Sequence, residues 1–203
     1  KVQMYGCGIG PVLREQHRKL AARVLNACVD VITLREPDSQ KELQSMGVTR
    51  PEVLLTADPA LTLPAASDDE IDSVLLRAGI PPRGNYLCFA LRNWKGFESK
   101  ASLFGQAAKY AYETYGLTPV FAAVEKHLDP GAGRLAVAGL DIPHYFLDDA
   151  GSAGTIIGAL SRMQAVVSMR LHALIFAAGQ GIPLAGVVYD PKVSSFLRYI
   201  GQE

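Results

Sequence analysis

Short unbroken apolar runs alternate along this chain with longer stretches in which apolar residues recur at helical spacing. That alternation predicts a parallel sheet with crossover helices, a Rossmann-like α/β architecture. In the first block the pattern places a strand over 2–5 and a glycine turn. A helix follows with Leu13, Leu20, Val24 and Cys28 on its apolar face, then a strand over 30–34, a short helix to Met46 stopped by Gly47, and a strand over 53–56. Pro59, Pro64, Pro81, Pro82 and Gly84 then punctuate a connector, inside which Ser67 and Glu70 form a capping box ahead of Ile71, Val74, Leu75 and Ala78. The second block predicts strands over 86–91, 120–124, 165–168 and 184–188 and an apolar stretch over 144–147. Its helices are expected over 99–115, around 131–139, over 154–163 and 171–179, and from Val193 onward. The expected division is a first domain over 1–64, a linker with a short helix over 65–85, and a second domain over 86–203.

Composition narrows the picture. Half the residues are hydrophobic (49% of 203), which is enough for a sizeable core. Twenty Lys and Arg balance twenty Asp and Glu, which argues against a non-specific nucleic-acid binder, so any anion site must be local. Cys7, Cys28 and Cys88 are odd in number, far apart and without metal-ligand spacing; reduced core thiols are expected, with no metal site and no disulfide framework. Gly179, Gln180, Gly181 and Pro183 interrupt the best apolar stretch below the roughly 18 residues a membrane span requires. Lys1 opens the chain inside a strand pattern, so an origin in a longer protein is expected.

The candidate chemistry gathers at strand ends. The run over 165–168 stops just before Arg170 and His172, where a helix pattern begins. The carboxyl end of a strand in an open α/β sheet is where ligands bind. Arg92 ends the strand over 86–91 and is followed by Asn93, Trp94 and Lys95. Alone it would be a solvated charge, but two arginines over one sheet edge make a clamp for an anion, each able to fork onto a carboxylate or phosphate. His172, in the first turn after Arg170, is read as a proton-transfer group rather than a core histidine, while His17, His127 and His144 are read as structural or exposed. Tyr5-Gly6-Cys7-Gly8-Ile9-Gly10-Pro11 suits either backbone amides approaching a phosphate or a tight turn. Asp190 reads most simply as a helix cap and Asp58 as a turn residue.

Arg170-Leu171-His172-Ala173-Leu174-Ile175-Phe176-Ala177-Ala178, then Pro183 and Tyr189-Asp190-Pro191-Lys192-Val193, resembles the polysaccharide pyruvyl transferase family, nearest to its bacterial cell-surface-anchoring branch, CsaB. Gly8-Ile9-Gly10-Pro11, Ile32-Thr33-Leu34-Arg35 with Ser39, Thr56-Ala57-Asp58-Pro59 and Leu91-Arg92-Asn93-Trp94 stand in the order that family shows. The resemblance implies two Rossmann-like domains of the GT-B kind, the amino-terminal one incomplete in this chain. It further implies transfer of the enolpyruvyl group of phosphoenolpyruvate onto a sugar as a ketal. Carried over by position, Arg92, Arg170 and His172 are catalytic, and with Leu171 they bind the donor; Gly8, Ile9, Gly10, Trp94, Tyr189, Asp190 and Lys192 fall to the acceptor or the cleft. The implied acceptor is a lipid-linked disaccharide containing N-acetylmannosamine, made for a cell-wall polymer and S-layer anchoring in the cytoplasm at the inner face of the membrane. No cofactor beyond the donor substrate, no metal and no nucleic acid are implied. Glu36 departs from the aspartate many relatives carry after the arginine. Two other classes fit the same pattern: a GT-B nucleotide-sugar glycosyltransferase or epimerase, and a non-catalytic sugar-binding domain.

Overall fold

The structure is a computed structural model describing residues 1–202, and it divides into two compact units: Lys1–Leu61 with the chain from Ser194 on, and Thr62–Val193.

The first unit holds a three-stranded parallel sheet in chain order, β1 (Gln3–Cys7), β2 (Val31–Leu34) and β3 (Glu52–Leu55). Its helices are α1 (Glu15–Cys28) and α2 (Pro37–Ser45), and its core is Val29, Ile32, Leu34, Leu43 and Val48. The predicted elements are present, but the expected apolar face of α1 is not the packed one. Leu20 and Val24 are exposed, Cys28 is exposed, Leu13 precedes the helix, and α1 meets the core through Ala22 and Leu25 instead. Of the three cysteines expected in the core, only Cys88 is buried; all three are free thiols.

The second unit is a five-stranded parallel sheet. Its strands are β4 (Tyr86–Ala90), β5 (Thr118–Ala122), β6 (Tyr145–Leu147), β7 (Ala165–Ser168) and β8 (Leu184–Gly186), in spatial order β6-β5-β4-β7-β8. Side chains alternate across a strand. Leu87, Phe89 and Leu91 pack against α4 (Ala101–Tyr115) and α5 (Pro130–Ala136), leaving Cys88 to the opposite face. The buried stripe of α4 is Ala101, Gly105, Ala108 and Ala111, small residues at helical spacing that let α5 approach closely. A Cβ on Gly105 would lie 2.2 Å from the Ala136 carbonyl oxygen. Opposite, α6 (Ala153–Ser161) is buried from Thr155 to Leu160, as a helix apolar on all sides must be. It lies against α3 (Asp68–Arg77) and α7 (Leu171–Gly179).

Two segments differ from the expected division. The helix expected inside a linker, α3, opens with its predicted Ser67–Glu70 capping box but buries Ile71, Val74 and Leu75 within the second unit. The last helix, α8 (Pro191–Tyr199), belongs from Ser194 on with the first unit. There Ser195 Oγ donates to Asp38 Oδ2 at 2.9 Å and the Tyr199 hydroxyl donates to the Thr56 carbonyl at 2.8 Å.

Candidate functional site

From β4 the chain moves outward to β5 and β6 on one side, then returns to lay β7 and β8 on the other. The order therefore reverses between β4 and β7, the topological switch point at whose carboxyl edge open α/β sheets bind ligands. Ala90 is paired with Ser168, and Arg92 and Arg170 each stand two residues beyond that pair. The two arginines picked out in the sequence thus leave adjacent central strands at the same level.

Arg170 is fixed at both ends. Its backbone N–H donates to Ser168 Oγ at 2.8 Å, and this fully buried hydroxyl also lies 3.1 Å from the Ala90 carbonyl and 3.0 Å from that of Arg170, tying the end of β7 to the end of β4. Its guanidinium meets Asp129 side-on. Nε donates to Oδ1 and Oδ2 at 3.0 and 2.9 Å, and Nη2 donates to Oδ1. Asp129 also accepts from the backbone N–H groups of Val124 (3.2 Å) and Glu125 (2.8 Å). The side chain of Arg170 is 16% exposed and that of Asp129 only 1%. One edge of the fork is therefore occupied, which leaves both N–H groups of Nη1 and one of Nη2 outside the ion pair.

Arg92 is half-buried in an aromatic corner. Its guanidinium carbon lies 5.1 Å from the centre of the Trp94 ring, within cation–π range, and Nη1 donates to the Tyr189 hydroxyl at 3.2 Å. Trp94 and Tyr189 meet edge to face with centroids 5.0 Å apart. Trp94 is 43% exposed, so an indole face remains open to solvent. Two of the residues assigned by resemblance to the acceptor or cleft, Trp94 and Tyr189, are thereby brought together with Arg92. Asp190 accepts from the Lys192 backbone N–H at 2.9 Å, the capping role read from sequence, and Lys192 is exposed.

His172 is exposed in the first turn of α7, with Leu171 half-buried beside it. The imidazole lines a cavity of about 360 Å³ at the ends of β5 and β6, shared with Glu125, Lys126, Asp149, Ser152, Ile156 and Phe176. Lys126 pairs with Asp149 at 3.3 Å, which partly offsets the one lysine there. Arg92 and Arg170 are not among its lining residues, so the histidine and the arginines occupy neighbouring stretches of the sheet edge rather than one enclosed pocket.

The glycine loop lies in the first unit. Gly6 N donates to Thr33 Oγ1 at 2.8 Å and Ile9 N to Ser39 Oγ at 2.7 Å. These amides are used within the unit, which favours the tight-turn reading at those positions over a phosphate cradle. Gly8 gives close approach: a Cβ there would lie 2.8 Å from Arg35 Nε. Arg35 in turn donates to Asp58 at 2.9 Å and to Glu36 at 3.1 Å, and Glu36 accepts from Ser39 Oγ. Asp58 is thus a buried ion-pair partner as well as the turn residue read from sequence, accepting from Ala60 N at 3.0 Å.

Sequence reasoning passed over Asp129, Ser168 and Lys126. Asp129 stands before Pro130-Gly131, where the string reads as a turn, and its partner Arg170 is 41 residues away; nothing local signals the pair.

Among solved structures, the ligand-free aspartate transcarbamoylase from Trypanosoma cruzi is similar at 11% identity and a TM-score of 0.29, covering 95% of this chain. This chain spans 64% of that one. No curated protein matches the chain in sequence. The family model described as polysaccharide pyruvyl transferase matches residues 1–191, which include both arginines, His172, Trp94 and Tyr189. With that match over nearly its whole length, the chain belongs to the polysaccharide pyruvyl transferase family.

Proposed function

We propose that this transferase takes phosphoenolpyruvate as donor and places its enolpyruvyl group on a sugar as a cyclic ketal. One observation supports the reading above the others. Arg92 and Arg170 stand at the ends of adjacent strands at the switch point of the five-stranded sheet, with His172 two residues further on in the first turn of α7. Phosphoenolpyruvate carries a phosphate and a carboxylate, and guanidinium groups hold both with charge-assisted hydrogen bonds. Arg92 offers its cation above the aromatic corner, and Arg170 offers Nη1 while its other edge stays on Asp129.

In this mechanism His172 gives a proton to the methylene carbon, which becomes the methyl group, and the neighbouring carbon becomes electrophilic. A sugar hydroxyl adds there and loses its proton. The C–O bond to phosphate breaks, a second hydroxyl of the same sugar adds and loses its proton, and the ketal and inorganic phosphate result. One hydroxyl proton restores His172 and the other leaves with phosphate, so the balance closes. The open face of Trp94 suits a pyranose ring. The acceptor is proposed to be a lipid-linked disaccharide containing N-acetylmannosamine, used for cell-wall polysaccharide and S-layer anchoring at the inner face of the membrane. No helix among the described residues is long and apolar enough to cross a membrane, so contact with the lipid would be peripheral. The two units are proposed as the two halves of a GT-B arrangement.

The test follows phosphate release from phosphoenolpyruvate with a model disaccharide acceptor. Release that requires both substrates is expected, with His172→Gln retaining most donor affinity while turnover falls by about 10²–10⁴-fold, the usual worth of a positioned acid. Near-normal release from His172→Gln would remove the acid role. A uridine nucleotide bound in place of phosphoenolpyruvate would point to glycosyl transfer instead.

A further inference from the structure

Asp129 is the most buried carboxylate at the carboxyl edge of the second sheet, and its burial requires a reason. Taking a carboxylate out of water costs several kcal/mol unless its lone pairs are satisfied. Here they are, by two backbone N–H groups at the end of β5 and by two nitrogens of Arg170. The backbone donors would satisfy the carboxylate of a simple turn. What the arginine adds is orientation: Nε and Nη2 are held on the Asp129 side of the guanidinium, and rotation about the last bonds of the side chain is removed. The backbone of Arg170 is held separately by Ser168.

We propose that Asp129 is a positioning residue for the anionic donor, acting through Arg170. It holds the guanidinium so that the Nη1 end, with both N–H groups of Nη1 and the second N–H of Nη2, is presented in one orientation, and it keeps the turn that begins α7, with Leu171 and His172, at a fixed height above the sheet. Its negative charge also lowers the net attraction of Arg170 for any passing anion. A ligand must therefore reach Arg92 as well, which makes the pair selective for a donor carrying two separated anionic groups. This rests on the reading of phosphoenolpyruvate as donor. A partner that orients a binding group, without touching the ligand, governs affinity by cutting the cost of arranging the site.

The test is a double-mutant cycle read by calorimetric titration with phosphoenolpyruvate, with the urea midpoint of each variant measured alongside. Asp129→Asn places an amide N–H against Arg170 or a backbone donor; the lost orientation should outweigh the added attraction of an uncompensated Arg170 and weaken donor binding roughly ten-fold, the low end of what loss of a ligand-orienting partner costs elsewhere. Arg170→Lys should weaken it as much or more. The double variant should bind no more weakly than Arg170→Lys alone, because Asp129 acts only through that arginine. A general loosening of the fold would instead multiply the two losses, and that outcome, or Asp129→Asn binding as tightly as wild type, would overturn the proposal. If Asp129→Asn does not fold, Asp129→Glu keeps the charge while moving the carboxylate by one methylene. It should show the same weakening and the same non-additivity, and wild-type affinity from it would equally overturn the proposal. Wild-type protein that fails to bind phosphoenolpyruvate would defeat the donor reading itself, an outcome distinct from failure of the cycle.

Discussion

Gly105→Ala should destabilise the second unit although it replaces the second-poorest helix former with the best. Gly105 lies in the middle of α4, where alanine is favoured by about 1 kcal/mol on propensity alone. Against that, the new Cβ would stand 2.2 Å from the carbonyl oxygen of Ala136, the last residue of α5. This is more than about 1 Å inside the roughly 3.5 Å at which such atoms attract. The obstacle is backbone, so no rotamer change relieves it. Ala108 of α4 and Ala132 of α5 belong to the same core cluster and are both 0% exposed, which leaves the two helices little slack. Overpacking of this kind costs about 1–3 kcal/mol, and a backbone clash lies toward the upper end, so after the gain of about 1 kcal/mol the net expectation is a loss of up to about 2 kcal/mol. Gly131→Ala provides the control: it lies in α5 with nothing within 4 Å of the added Cβ, and should gain about 0.4–1 kcal/mol. Trp94 is the one tryptophan of the sequence and belongs to the second unit, so its fluorescence reports that unit during urea unfolding. Midpoints shifted in opposite directions with unchanged slopes are expected. Gly105→Ala at or above wild-type stability would refute backbone-distance packing of α4 on α5.

Two further predictions concern buried charge and buried thiol. Arg35→Ala leaves the Asp58 carboxylate, 8% exposed, without its cation, and should cost the first unit about 3–5 kcal/mol. Lys19→Ala breaks only an exposed pair with Glu15 and should cost under about 0.5 kcal/mol; equal losses in urea unfolding followed by circular dichroism would contradict the assignment of Arg35. Burial pushes the Cys88 thiol up to about 12 from an ordinary 9.0, so the folded state keeps a proton that the unfolded chain releases above pH 9. Its contribution is complete below that pH and is lost as pH rises toward 12, at up to about 1.4 kcal/mol per pH unit. Cys88→Ala, less stable throughout from lost packing, should show a shallower alkaline decline than wild type; parallel declines would reject the buried-thiol account.

Much of the second unit was legible because its strands are unbroken apolar runs and its helices recur at helical spacing. Ser67 and Glu70 announced the start of α3 by their chemistry alone. The face of α1 was not legible: Leu13, Leu20, Val24 and Cys28 form a plausible stripe, yet Ala22 and Leu25 are the residues packed on the sheet, a choice made by tertiary contact. The place of α8 was hidden for a similar reason, since amphipathic spacing marks a helix without saying which core receives it. Arg92, Arg170 and His172 were visible because a polar residue ending an apolar run is a local signal. Asp129 was not, because a long-range ion pair leaves no periodicity, and that pair occupies one edge of the Arg170 guanidinium.

The central claim is that the switch point of the second unit receives phosphoenolpyruvate, and a calorimetric titration of the chain with that compound and, separately, with uridine diphosphate tests it most directly. Saturable binding of phosphoenolpyruvate, weakened by about 1.5–3 kcal/mol in Arg92→Ala, and weaker or no binding of uridine diphosphate are predicted. Tighter binding of uridine diphosphate, or phosphoenolpyruvate affinity unchanged in Arg92→Ala, would contradict it.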